Sequence, residues 1–219
     1  MSLLKSVLYD GGAQRQVQPG DLVGAGELVN LLNTVGAATI TGALMAGGIL
    51  TRGGAQVGAF SDPTDSAANI LAALASQSNS NAIQNGTTFR FLVNNVSTGG
   101  FTETITAGTG VTLSGTMTIA TASWREFLVT VTNGTPAQTF TGATTNGSAV
   151  VTGMLQSQTN LLAVGMLVTG TGIPAATTII SIQSGTGVTL SANATATNNP
   201  VALTFSPTIT ITSLRGGSN

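Results

Sequence analysis

From about Thr87 to the C-terminus, apolar side chains recur at every second position. Phe89, Phe91 and Val93 alternate with Arg90 and Leu92, and Val111, Leu113, Met117 and Ile119 alternate with Thr112, Ser114, Thr116 and Thr118. The pattern continues through Phe127, Val129 and Val131, Ile180 and Ile182, Val188 and Leu190, Val201, Leu203 and Phe205, and Ile209 and Ile211. Only an extended chain gathers such a series on one face, so these segments read as strands with one buried and one wet side. Threonine occupies many wet positions, where its branched carbon favours extended backbone and its hydroxyl meets water. Asn85-Gly86, Asn133-Gly134 and Asn146-Gly147 supply the positive φ values of tight hairpins.

Two places read as helical. Glu27 to Asn33 spaces Leu28, Leu31 and Leu32 on one face of two turns. The stronger signal is Asp62-Pro63-Thr64-Asp65, an N-cap, a first-turn proline and a first-turn carboxylate, followed by Ala67, Ile70, Leu71 and Leu74 at helical spacing. Gly108-Thr-Gly-Val-Thr-Leu-Ser-Gly115 recurs as Gly185-Thr-Gly-Val-Thr-Leu-Ser-Ala192, an offset of 185 − 108 = 77 residues. The recurrence fits either duplicated modules or convergence on one turn-plus-strand solution. The chain therefore divides into an N-terminal attachment or oligomerisation segment, 1–58, a β module with a short helix, 59–136, and a C-terminal β module, 137–219. The expected class is mainly β: two small antiparallel sandwich or barrel-like modules, one short helix and an extended N-terminal segment.

Chemistry is constrained by what is missing. The chain has no His and no Cys, with one Lys and five Arg against seven Asp+Glu in 219 residues. Such a chain lacks the commonest general base, the commonest zinc ligands and any Ser-His or Cys-His pair. No basic cluster offers a footprint for phosphates, so nucleic acid is not an expected partner. Absence of Cys leaves the redox compartment open. Met1 to Asp10 has no continuous apolar core and fails as a secretory signal. Val29 to Leu50 is uncharged and long enough to cross a bilayer, but its Asn, Thr and Gly content and its lack of flanking Trp or Tyr read as a buried or intersubunit segment. A membrane is not an expected partner either.

Glu103 and Glu126 each fall in a strand region, and a facing carboxylate pair could hydrolyse glycosides. The plainer reading of Glu126 is a surface ion pair with Arg125 beside Trp124, and the plainer reading of Asp62 and Asp65 is helix capping, not metal binding. Gly108-Thr-Gly110 and Gly170-Thr-Gly172 lack the lysine of a phosphate loop and read as turns. Asn95-Val-Ser97, Asn133-Gly-Thr135 and Asn193-Ala-Thr195 match the glycosylation triplet only as an Asn-, Ser- and Thr-rich chain does by chance. Trp124 reads as a core or interface anchor. No catalytic, cofactor-binding or metal-ligating residue is assigned. With so few charges to guard strand edges, a homo-oligomer that seals them is expected, its glycine pairs at residues 47–48 and 53–54 allowing the N-terminal segment to run along a neighbour.

Several passages resemble β-rich structural proteins of tailed-bacteriophage particles. They are Phe60-Ser-Asp-Pro-Thr-Asp-Ser-Ala-Ala-Asn-Ile-Leu-Ala-Ala-Leu74, Thr104 to Gly115, Ser123-Trp-Arg-Glu-Phe-Leu-Val-Thr-Val131, Val164 to Ala175 and Gly187 to Ala196. The resemblance implies a non-enzymatic virion component, often a homotrimer, of the capsid decoration (cement) or head-fibre type. It carries over no catalytic residue and no cofactor. The first expectation is a decoration protein on the capsid surface, made in the host bacterial cytoplasm, its partners being copies of itself and the major capsid protein. The alternative is a tail or head fibre component contacting the host receptor. A surface polysaccharide hydrolase is a third option.

Overall fold

The computed structural model describes residues 7–10, 13–16, 29–77 and 83–219. The elements run β1 (Val7–Asp10), β2 (Ala13–Gln16), β3 (Val29–Leu32), α1 (Gly42–Ala46), β4 (Ile49–Arg52), β5 (Phe60–Pro63), α2 (Ala67–Gln77), β6 (Thr88–Asn95), β7 (Glu103–Thr106), β8 (Val111–Ser114), β9 (Thr118–Ile119) and β10 (Ser123–Asn133). They continue as β11 (Gln138–Thr144), β12 (Val150–Val151), α3 (Gln156–Thr159), β13 (Leu167–Gly170), β14 (Ile179–Gln183), β15 (Gly187–Leu190), β16 (Asn198–Ser206) and β17 (Thr208–Ser218). The protein is mainly β, as the two-residue alternation requires, and three helices are present among the described residues, where the expected architecture had one short helix.

The first unit is a platform. Six strands lie in the order β3-β4-β6-β10-β17-β8, antiparallel through β6, β10 and β17 and parallel at both flanks. Phe91, Val93, Phe127, Val129, Val131, Ile209 and Ile211 point to the inner face and pack with Met45 of α1, Ile70 of α2, and Ile105 and Ile119 of a small β5-β7-β9 sheet. Phe91 and Phe127, opposite each other on neighbouring strands, stack with centroids 5.1 Å apart.

The second unit lies between β10 and β17. Its two three-stranded sheets, β11-β16-β13 and β12-β15-β14, enclose Val151, Met166, Val168, Ile179, Val188, Leu190, Val201, Leu203 and Phe205. Antiparallel bridges join the sheets at both edges, Ala143 to Thr152 and Leu167 to Thr178. Six strands thus close on themselves as a small antiparallel barrel. Residues 137–206 contain no Lys, Arg, Asp, Glu or His at all. Closure explains how such a unit avoids edge-to-edge pairing without charged guards, because a closed barrel has no free edge.

Several expectations are corrected. Residues 29–32 of the first helical candidate form strand β3, whose backbone pairs in parallel with β4 and whose Leu31 is 61% exposed, so no apolar helical face exists there. Its Glu27 and Leu28 lie outside the described residues. The uncharged run from Val29 to Leu50 is β3, α1 and β4, and no helix among the described residues is long and apolar enough to cross a membrane. Residues 42–52, expected in an extended arm, are folded into the platform, with Met45 and Leu50 wholly buried. Asp62 and Pro63 belong to β5, and α2 begins at Ala67, where Ser66 caps by accepting from the Asn69 amide at 3.2 Å. Asp65 sits just before that helix, its carboxylate accepting from the Ser66 amide and the Asn69 side chain. The six-stranded sheet crosses both expected module boundaries, taking β3 and β4 from 1–58 and β17 from 137–219, because strand pairing joins segments distant in sequence. Asn85-Gly86 and Asn146-Gly147 form turns with glycine φ of 84° and 80°, whereas Asn133-Gly134 is a linker into the barrel whose glycine is not among those with positive φ.

The two copies of Gly-Thr-Gly-Val-Thr-Leu-Ser are not structural equivalents. The first leads into β8, an edge strand parallel to β17, and the second forms β15, central and antiparallel between β12 and β14. The second glycine of the first copy, Gly110, has φ 77°, whereas in the second copy the first glycine, Gly185, does. Equal sequence thus adopts different turns, which favours convergence on one motif over duplication of a module. In the barrel, a Cβ at Gly187 would lie 1.8 Å from the Val151 carbonyl oxygen, while at Gly185 the nearest group is the Gln156 Cβ at 3.6 Å. Gly187→Ala is therefore expected to cost about 3 kcal/mol or more by overpacking, and Gly185→Ala only about 1–2 kcal/mol of backbone strain; urea unfolding of the two variants checks the ranking.

Candidate functional site

Where the platform's two sheets meet, polar groups are buried together. Arg52 ends β4 and pairs with Asn95 of β6, both pointing inward and both fully buried. The Arg52 Nε donates to Asp62 Oδ2 at 2.5 Å and its Nη2 to Asp62 Oδ1 at 3.4 Å. Nη1 donates to the carbonyls of Leu32, Thr34 and Gly53, and Nη2 to that of Gly36. The Phe60 ring lies 4.6 Å from the guanidinium carbon. Gln56 holds the same loop, accepting from the Gly36 amide at 2.7 Å and donating to Thr34 and Gly53 carbonyls. Asn95 ties the other side, donating to the carbonyls of Phe101 and Ile119.

Glu103 of β7 is the odd member. It is wholly buried between Phe60 of β5 and Ile119 of β9, and neither of its side-chain oxygens has a hydrogen-bond partner. Burial pushes its pKa up to about 8, the Asp62 carboxylate adds to this, and Arg52 opposes it. Two carboxylates beside one guanidinium leave one negative charge in excess, so the neutral acid is the form this interior holds. The whole group is closed to solvent, and its geometry serves to join β3, β4, β5 and the 33–38 loop.

Glu126 lies elsewhere. Its neighbour Phe127 faces the core, so Glu126 points to the outer face of the six-stranded sheet and cannot face the buried Glu103. The expected partner Arg125 instead donates to the Thr118 carbonyl and to Ser213 Oγ. Glu126 is bridged by Arg90 of β6 at 3.2 Å and Arg215 of β17 at 2.7 Å. Although partial burial acts against it, the hydrogen bonds from Arg215 and then Arg90 hold its carboxyl below the ordinary value. Trp124, two residues earlier on the same face, lies over Gly217, where an added Cβ would be 3.2 Å from the indole. It is half-buried, an anchor of the outer face rather than of the core. A crevice of about 290 Å³ where platform and barrel meet is lined by Gly108 to Thr112, Leu167, Ala176, Thr178 and Thr208, with no ionisable side chain. Gly108-Thr-Gly110 and Gly170-Thr-Gly172 are turns as expected, with positive φ at Gly110 and Gly172. Among the described residues no group of three acidic, His or Cys side chains could hold a metal.

Sequence reasoning gives Arg52, Gln56 and Asn95 no buried structural role, although Arg52 leaves one mark: a lone cation closing the otherwise uncharged run Ile49-Leu50-Thr51. Removing that cation alone strands a buried carboxylate, so Arg52→Met is expected to cost about 3–5 kcal/mol in chemical unfolding. Glu103 has a folded-state pKa near 8, above its ordinary 4.5. Its contribution is therefore fully present below pH 4.5 and is lost as pH rises through about 8. Thermal unfolding midpoints are expected to fall across that window, and Glu103→Gln is expected to remove most of the slope. Comparison with protein-family models, with curated proteins and with solved structures found no match.

Proposed function

We propose that this chain is a non-enzymatic structural protein of a tailed-phage particle, a capsid decoration (cement) protein that binds the outer head lattice and stabilises it. The observation that carries this reading is the inserted barrel. Residues 138–206 form a separately cored, charge-free unit between β10 and β17, two adjacent strands of the platform. One part can then grip while the other projects, which is the division of labour a decoration protein needs. Anything that binds only the assembled shell stabilises it by mass action.

Composition and edges support self-association. Among the described residues β3 and β8 are the open ends of the platform sheet, and the chain's six Lys and Arg are too few to guard them. A homotrimer that covers these edges is the assembly proposed, with the major capsid protein as the other partner. The ionisable group most suggestive of chemistry, Arg52, Asp62 and Glu103, is sealed from solvent, which supports a structural role for it.

One observation favours the fibre reading. Leu155, Leu161, Val164 and Ile180 of the barrel are each more than half exposed, and such apolar positions suit contact with a host receptor. Immunogold labelling of phage particles separates the two readings. Label over the heads is the expected result, and label confined to the tail would replace decoration with the fibre role. In solution, light scattering is expected to give three times the 21.7 kDa chain mass, and a monomer at micromolar concentration would remove the trimer.

A further inference from the structure

The platform sheet has two faces of different character. The inner face is covered by α1, α2 and the β5-β7-β9 sheet. The outer face carries Ile49, Leu92, Leu128 and Trp124, all partly exposed. Strand register makes them neighbours: Ile49 is opposite Leu92, and Leu92 is diagonal to both Leu128 and Trp124 through its pairing with Glu126. Arg90, opposite Leu128, and Arg215, opposite Glu126, flank this apolar centre with side chains 61% and 72% exposed.

Charge decides what fits here. Among the described residues Glu126 is the one carboxylate on this face, and both arginines already bridge it, leaving a net positive stripe. Each guanidinium uses one nitrogen on Glu126, and among the described residues its remaining donors have no protein partner. An identical copy of the same face would bring like charges together. Nucleic acid fits poorly, because Glu126 would meet the phosphates and two cations provide little counterion release. A protein surface with carboxylates around an apolar patch satisfies both arginines and buries the leucines and tryptophan, the composition in which Trp and Arg dominate binding energy. The three long strands β6, β10 and β17 run eight or more residues and the flanking β3, β4 and β8 four each; at about 4.8 Å between strands and about 3.3 Å per residue they present roughly 550 Å², at the low end of interface sizes.

We propose that this outer face is the docking surface for an acidic, partly apolar protein surface of the particle, with Arg90 and Arg215 as its charged contacts. The proposal rests on the virion reading and deepens it, since under that reading the acidic surface belongs to the shell. The absence of native cysteine makes a single introduced thiol an unambiguous probe. Thr130→Cys, on the same face as Leu128, would be labelled with a maleimide-benzophenone, incorporated into particles and irradiated. The expected result is a crosslink to a different virion protein whose contact peptide is rich in Asp or Glu. Crosslink yield should fall at least fivefold in the Arg90→Glu/Glu126→Arg/Arg215→Glu background, which keeps both ion pairs with their signs exchanged while reversing the net charge of the face, with little change in the melting temperature of the free protein. A crosslink only to another copy of this chain, a crosslink to nucleic acid, or no crosslink would overturn the proposal. A crosslink to an acidic tail protein would keep the docking face while removing the decoration reading, so the two fail separately. A charge-reversed variant that crosslinks as strongly as Arg90 and Arg215 do would remove the arginines from the contact.

Discussion

The platform depends on one guanidinium. Arg52 spends its donors on a carboxylate from β5 and on carbonyls of residues 32, 34, 36 and 53, so a single side chain fixes the edge strand, the loop after it and the smaller sheet. A buried arginine is tolerated only when its hydrogen bonds are complete, and here the fork geometry matches the carbonyls of residues 32, 34, 36 and 53 together with the Asp62 carboxylate. The unpaired Glu103 nearby is the counterpart of that arrangement: with Asp62 already taken by Arg52, a second carboxylate in the same dry space is stable as the neutral acid. The cluster thus holds a titratable carboxyl without offering any group to solvent.

The two units solve the same problem in different ways. A chain with 6% charged residues has little electrostatic means of keeping strand edges apart. The barrel closes, joining β11 to β12 and β13 to β14 through single bridges, and so needs no charge at all. The platform stays open, and among the described residues its two most exposed cations, Arg90 and Arg215, lie on one face of its sheet. Under the proposed decoration reading the platform makes the contact and the barrel projects, and this asymmetry is the observation that favours that division.

Legibility in the sequence followed burial. Strands β6, β8, β10, β15, β16 and β17 were readable from the alternation of apolar and polar positions: Phe91 and Val93, Phe127, Val129 and Val131, Val201, Leu203 and Phe205, and Ile209 and Ile211 are all buried as it requires, whereas β11, β12 and β13 carried no such series. The alternation failed at β14, where a register shift between Ile179 and Ser181 buries Ile179 and leaves Ile180 54% exposed. It also gave no sign of β3, β4 and β5, four-residue strands too short to establish a period. Asp62-Pro63 imitated a helix start because the residues that cap a helix also end a strand, and only the reach of Arg52 decides between them.

By itself the sequence determined the backbone class, the threonine-covered surface, the turns at Asn85-Gly86 and Asn146-Gly147, and the absence of imidazole and thiol chemistry, since each of these follows from local propensity or from inventory. Only the tertiary structure decided that β17 joins β10 and β6, that the barrel closes, that Glu103 and Glu126 lie in opposite environments, and that Arg90 and Arg215 meet across one carboxylate. The two arginine contacts join residues 36 and 89 positions apart, and β10 pairs with β17 across as many as 95. Strand partners of that separation are selected by the packing of the whole core, which no short stretch of sequence encodes.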